Sequence, residues 1–248
     1  MGSWGGRAGG VGGSVVEEDQ GLVEFHLTGF GKFGSLKENP TENLIELIRE
    51  ELRVDRGEFL PARIASCHIW EVSAEYTDDA LSKLHNNLSK PVNRPIVFLH
   101  LGVDCGANNF RLEQKGVNEA DFQYHDERGF SPRKQPIVRK NGTTTHAIQT
   151  TLPTAKLASI LREQSFDVQT STDAGRFVCN WTYYLSLHHA KNSGALVLFL
   201  HVPSVSQIKL EEQLQFVKAL IRQIAVQVRA EEESLPTVMA TTPALGTS

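Results

Sequence analysis

Cys179 stands in Ser171-Thr172-Asp173-Ala174-Gly175-Arg176-Phe177-Val178-Cys179-Asn180-Trp181. A turn over Asp173-Ala174-Gly175, followed by a helix starting near Gly175, puts this thiol in the first turns of the helix. There the helix dipole and the unpaired N–H groups favour a thiolate, the form of cysteine that acts as a nucleophile. A lone cysteine is more commonly a small buried apolar residue, so the reading needs a base beside it. Two histidines have equal claim by position. His201 closes the apolar run Val197-Leu198-Phe199-Leu200-His201-Val202-Pro203, and His100 lies in Phe98-Leu99-His100-Leu101-Gly102. Each stands near the end of a buried strand, where α/β sites form, and each is equally readable as a core histidine with a satisfied ring. Glu113, in Asn109-Phe110-Arg111-Leu112-Glu113-Gln114, reads by spacing alone as a charge facing solvent. Gly29-Phe30-Gly31-Lys32-Phe33-Gly34 is a glycine loop without GxGxxG and without Gly-Lys-Ser/Thr, so it does not read as a phosphate cradle. Its two phenylalanines suit an apolar pocket. His125 and His188-His189 have no metal-site spacing, and neither a metal nor a cofactor is expected.

The elements that must position these groups alternate between strands and helices. Leu22–Thr28, Ala62–Val72, Pro95–Val103 and Ala195–Val202 read as strands, the last two as continuous apolar runs buried on both faces. Asn39-Pro40-Thr41-Glu42 reads as a helix start, with Asn39 as the cap, Pro40 as the first helical residue and Glu42 as the reciprocal partner. Helices are also expected over Asp78–Leu88, Pro153–Gln164, Phe177–Lys191 and Gln207–Val228. Asp104 to Thr151 is polar and irregular, long enough to carry function or an added hairpin. Strands separated by helices imply a single three-layer α/β/α domain with a mainly parallel, mixed sheet, whose sites lie beyond the carboxyl ends of the strands.

Composition narrows the class. The chain has 248 residues with 40% hydrophobic and 22% charged, ordinary for a globular protein. Its net charge of −4 argues against nucleic acid and against an anionic membrane surface as partners. Three cysteines form no zinc pattern and no disulfide framework, and no apolar signal-like segment opens the chain; a reducing, cytoplasmic setting is expected. Residues 1–21 are glycine-rich and then acidic, and residues 230–248 are rich in Glu, Pro, Thr and Ala. Both read as disordered tails around a domain spanning 22–229.

Taken together, the motifs resemble pyroglutamyl-peptidase I, a cysteine peptidase family that removes N-terminal pyroglutamate. Asp173-Ala174-Gly175-Arg176-Phe177-Val178-Cys179-Asn180, with Tyr183-Tyr184, is similar to the family's nucleophile segment. Phe199-Leu200-His201-Val202-Pro203 resembles its histidine segment, and Leu112-Glu113-Gln114 with Asn118 its glutamate segment. Thr28-Gly29-Phe30, Phe33-Gly34 and Asn39-Pro40 match its N-terminal loop, with Lys32 and Ser35 departing from the usual Pro and Gly. The whole looks most like plant-type members. The resemblance implies a phosphorylase/hydrolase-like α/β fold and catalysis by Cys179, His201 and Glu113. It also implies a ring pocket of Phe30, Phe33, Phe177 and Val178, peptides with N-terminal pyroglutamate as partners, and either a monomer or a homotetramer. A catalytically dead relative that binds such peptides or a protein partner is the alternative. A nucleoside phosphorylase-like enzyme is a third reading, weakened by the missing phosphate loop.

Overall fold

Val23, Phe25 and Leu27 are fully buried at alternate positions, the period of a strand, and they open β1 (Val23–Phe30). In this computed structural model, which describes residues 22–54, 59, 61–88 and 94–234, β1 lies between two parallel neighbours, β2 (Ala62–Trp70) and β3 (Ile96–Val103). The sheet continues through β8 (Leu196–Val202) to β4 (Phe110–Glu113) and β7 (Val168–Ser171), in the order β2-β1-β3-β8-β4-β7. β8 runs parallel to β3, but β4 is antiparallel to β8 and parallel to β7, so the sheet is mixed.

One face of the sheet carries α1 (Pro40–Val54), α3 (Thr154–Glu163) and α5 (Leu210–Ser234), and the other carries α2 (Ala74–Asn86) and α4 (Val178–Ser193). This is the single three-layer α/β/α domain that the alternation of elements implies. A two-stranded antiparallel ribbon, β5 (Lys115–Val117) with β6 (Ala147–Gln149), packs on α4.

Several expectations change. Asn39 does open α1, accepting from the Thr41 N–H at 3.1 Å and the Thr41 hydroxyl at 2.9 Å; its side-chain partner is therefore Thr41, not Glu42. α2 starts at Ala74, four residues before the expected Asp78, because Ser73 caps it and accepts from the Tyr76 N–H. The polar segment Asp104 to Thr151 contributes β4 to the main sheet, not merely an added hairpin. β7, with its brief apolar content, has no counterpart among the expected strands. α5 begins at Leu210 and runs to Ser234, so residues 230–234 are helical where composition alone placed a tail. The remainder of that expected tail, and residues 1–21, lie outside the described residues.

Between the sheet and its α2/α4 face runs a buried polar ladder. His100 on β3 takes Thr28 Oγ1 at 2.8 Å on Nδ1 and Ser186 Oγ at 2.8 Å on Nε2. The same Ser186 hydroxyl reaches His85 of α2 at 3.3 Å. Burial pulls both His85 and His100 down to about 3, with neighbouring histidines adding to the effect. Both rings are neutral. Among the described residues no helix is long and apolar enough to cross a membrane.

Candidate active site

The nucleophile's helix is built by a tight turn. Gly175 has φ +76°, which glycine adopts without strain, and Phe177 is extended at the cap, so helical backbone starts at Val178. This start is three residues later than Gly175 and places Cys179 second in α4. The N–H groups of Val178 and Cys179 have no intrahelical carbonyl to donate to. Arg176 ties the turn down: Nη1 donates to Asp173 Oδ1 at 2.6 Å and to the Gly175 carbonyl at 2.6 Å, and Nε donates to Glu119 Oε2 at 2.7 Å. Asn180 locks the first helical turn to β5, accepting from the Val117 N–H at 2.9 Å and donating to the Val117 and Glu119 carbonyls at 2.8 and 2.9 Å. The other end of α4 closes at Gly194, φ +74°, whose N–H returns to the Ala190 carbonyl.

β8 and β4 supply the base and its partner. In their antiparallel register Glu113 faces Phe199 and Arg111 faces His201, so Glu113 and His201 share one face of the sheet as a diagonal pair. His201 Nδ1–H donates to Glu113 Oε1 at 2.8 Å. A carboxylate accepts only, which fixes the proton on Nδ1 and leaves Nε2 for the sulfur. Glu113 is fully buried, far from the solvent-facing charge that its spacing alone suggests. Its backbone carbonyl accepts from the Tyr183 hydroxyl at 2.7 Å, which pins β4 to the nucleophile's own helix.

The Cys179 sulfur lies against Gly102 of β3, whose register partner on β8 is His201, and Cys179 and His201 line the same cavity. Burial on its own would lower the histidine; its hydrogen bonds and charge attraction to Cys179 and Glu113 outweigh that and raise it to about 10. An imidazolium beside the sulfur is the setting that stabilises a thiolate. The other thiols are placed differently. Burial pushes Cys67 up to about 11, and Cys105, on the surface, is raised by partial loss of hydration and by the charge of Asp104. His100 has both ring nitrogens committed to Thr28 and Ser186, so of the two candidate bases only His201 meets the cysteine.

Cys179 and His201 open into a cavity of about 410 Å³. Phe30, Phe33, Phe177 and Val178 line it, as the resemblance implies, and Val72 joins them. The Phe33 and Phe177 rings are 6.1 Å apart. The Phe177 carbonyl accepts the Trp181 N–H at 3.1 Å and the Val178 carbonyl accepts the Thr182 hydroxyl at 2.8 Å, while the Val178 N–H has no intrahelical carbonyl to donate to. Sequence reasoning misses Gly102. A Cβ there would lie 2.7 Å from Phe199 Cζ and 2.9 Å from Cys179 Sγ, so the strand must be bare for the sulfur to approach. The one available signal is a glycine inside an otherwise apolar strand run. Among the described residues no three His, Cys, Asp or Glu side chains converge as a metal site. The arrangement can deliver a nucleophile, a proton shuttle with a fixed tautomer, and N–H donors for a developing oxyanion.

Comparison with known proteins points the same way. A family model described as pyroglutamyl peptidase matches residues 23–233. A pyrrolidone-carboxylate peptidase of Pyrococcus furiosus is 28% identical over 187 residues, 73% of this chain and 81% of that protein. A human pyroglutamyl-peptidase 1-like protein is 36% identical over 121 residues, 46% of this chain and 55% of its own length. The crystal structure of pyrrolidone carboxyl peptidase from Thermus thermophilus aligns with a TM-score of 0.66 at 28% identity, covering 81% of this chain and 99% of that one. A point mutant of the Pyrococcus furiosus enzyme gives a TM-score of 0.70 at 28% identity, covering 83% and 99%.

Proposed function

This chain belongs to the pyroglutamyl peptidase family, and from that premise we propose that it removes N-terminal pyroglutamate from peptides through Cys179, His201 and Glu113. It is a hydrolase of the pyroglutamyl-peptidase I type. The observation that carries the assignment of roles is His201 held between Glu113, at 2.8 Å, and Cys179, at the mouth of an apolar cavity. A complete nucleophile–base–carboxylate set also favours an active enzyme over a binding-only relative.

The Cys179 thiolate attacks the main-chain carbonyl of the pyroglutamyl residue. An S–C bond forms and the carbonyl oxygen takes the negative charge, facing the N–H groups that open α4. The tetrahedral centre collapses, the C–N bond breaks, and His201 Nε2–H donates its proton to the leaving amine. Water, deprotonated by the now neutral His201, then attacks the thioester and releases free pyroglutamate and the thiolate. Glu113 keeps the imidazole in the tautomer that this shuttle needs. Pyroglutamate carries no ammonium group, and its flat, neutral ring suits the space among Phe30, Phe33 and Phe177. An N-terminal glutamate would bring a carboxylate and an ammonium into that apolar space, an unpaired burial costing several kcal/mol. Peptides are the substrates, pyroglutamyl peptides in particular, and three unbridged thiols suit a reducing compartment such as the cytoplasm.

The test is release of a dye from its pyroglutamyl amide, with glutamyl and prolyl amides alongside. Turnover should be confined to the pyroglutamyl amide, with at most slow cleavage of the prolyl one. It should be abolished by a thiol alkylator and lost in Cys179→Ser and Cys179→Ala. Efficient cleavage of the glutamyl amide, or near-normal turnover by Cys179→Ser, would overturn the reading.

A further inference from the structure

One stretch of the long polar segment, residues 121–128, touches three walls of the cavity from behind. The Asp121 N–H donates to the Arg176 carbonyl at 3.1 Å, and the Phe122 ring meets Phe177 edge-on at 4.7 Å. The Glu127 N–H donates to the carbonyl of Val72 at 3.0 Å. Asp126, buried, clamps the stretch to the start of α2 by accepting the Ala74 N–H at 2.9 Å, and Arg128 pairs with Glu71 at 2.6 Å. The third wall is held by Glu127 alone among these residues: Oε1 accepts the Gly34 N–H at 2.9 Å. Gly34 is the residue after Phe33, in a tight turn closed by the Leu36 N–H on the Phe33 carbonyl, and it has φ +51°. Phe33 is half-buried, and Lys32, Gly34 and Ser35 around it are exposed.

We propose that Glu127 is a positioning residue for substrate recognition: by gripping the Gly34 N–H it holds the Phe33 turn at a fixed distance from Phe177, and so sets the width of the slot that takes the pyroglutamyl ring. Asp126 and Arg128 on either side anchor the strut to the body, and Glu127 transmits that anchorage to the turn. The carboxylate touches neither substrate nor the reacting groups. Its effect is on the binding of the ring, which is shared by ground and transition states, and therefore on KM more than on kcat.

This inference rests on the pyroglutamyl reading, and the experiment separates the two. Full-length wild type, Glu127→Ala and Glu127→Gln are compared on pyroglutamyl and prolyl dye amides. Absence of pyroglutamyl turnover in wild type defeats the function itself. Given an active wild type, Glu127→Ala should raise KM for the pyroglutamyl amide about three- to tenfold, the worth of one hydrogen bond, with kcat within about twofold. Its preference for pyroglutamyl over prolyl amide should shrink. Glu127→Gln keeps an acceptor oxygen at the same reach and should stay close to wild type in KM. The exposed position leaves the thermal midpoint of both variants near the wild-type value. An unchanged KM in Glu127→Ala, a fall in kcat with KM constant, or equal impairment of the two variants would each overturn the proposal.

Discussion

Glu113 reaches His201 with one carboxylate oxygen, while Oε2 meets no hydrogen-bond donor among the described residues. A buried carboxylate with one partner is a poor contributor to stability; its value is electrostatic, as counter-charge to the imidazolium. Glu113→Gln preserves the shape and an acceptor but removes that charge. It should lower kcat by roughly ten- to a thousandfold while near-ultraviolet circular dichroism stays native. His201→Ala should lose at least as much. His100→Ala should instead keep most of its activity per folded molecule and lose stability, because its ring bridges Thr28 and Ser186 and not the sulfur. Equal losses of kcat in stably folded His100→Ala and His201→Ala would contradict this division. Cys179 is legible in the sequence because a glycine turn and a helix start leave a local trace. The choice between the two histidines has none: both follow the same apolar pattern, and only the partners assembled across the sheet distinguish them, apart from the family resemblance around His201. The burial of Glu113 is hidden for the same reason.

At the scale of elements, the boundaries fail where a cap or pairing partner lies elsewhere in the chain. The helix over α4 is readable from its own residues, whereas β4 holds two buried apolar side chains and β7 only Val168, and they become strands by pairing with each other and, for β4, with β8. The ladder of α2, α4 and β3 is equally invisible in one dimension, and it carries a pH dependence. His85 and His100 are neutral in the fold and stay so down to about 3, but in the unfolded chain they protonate near 6.5. Below that value the unfolded state binds more protons, so stability falls as pH drops, by up to about 1.4 kcal/mol per pH unit for each ring. His201 has the opposite sign: raised to about 10, its contribution is complete below about 6.5 and is lost as pH climbs through 10. Urea unfolding at pH 7.5, 6.5 and 5.5 should therefore give a falling free energy over the two acid points. His100→Gln should be less stable at pH 7.5 yet show a shallower acid slope. A flat profile between pH 6.5 and 5.5 in wild type would count against the neutral ladder.

Over the whole molecule, the three groups of the site stand on β4, α4 and β8, and β8 is the strand between β3 and β4. The layered α/β architecture is legible in the alternation of apolar runs and amphipathic stretches; the reversal of β4 and β7 is not, because direction is decided by connections rather than by composition. β8 is also the last strand in sequence among the described residues. A chain ending at residue 195 should therefore lack more than His201: its two part-sheets, β2-β1-β3 and β4-β7, have no strand to join them. Limited proteolysis of that truncated chain should digest it throughout, whereas a chain ending at residue 234 should resist and remain active. On a ribosome the same geometry becomes a matter of timing. Every other strand of the main sheet emerges before the keystone strand does, and until then β3 and β4 each present a bare hydrogen-bonding edge that another nascent chain can pair with. The hazard for this protein thus lies in its birth rather than its maturity, in the interval between the appearance of β3 and the arrival of β8.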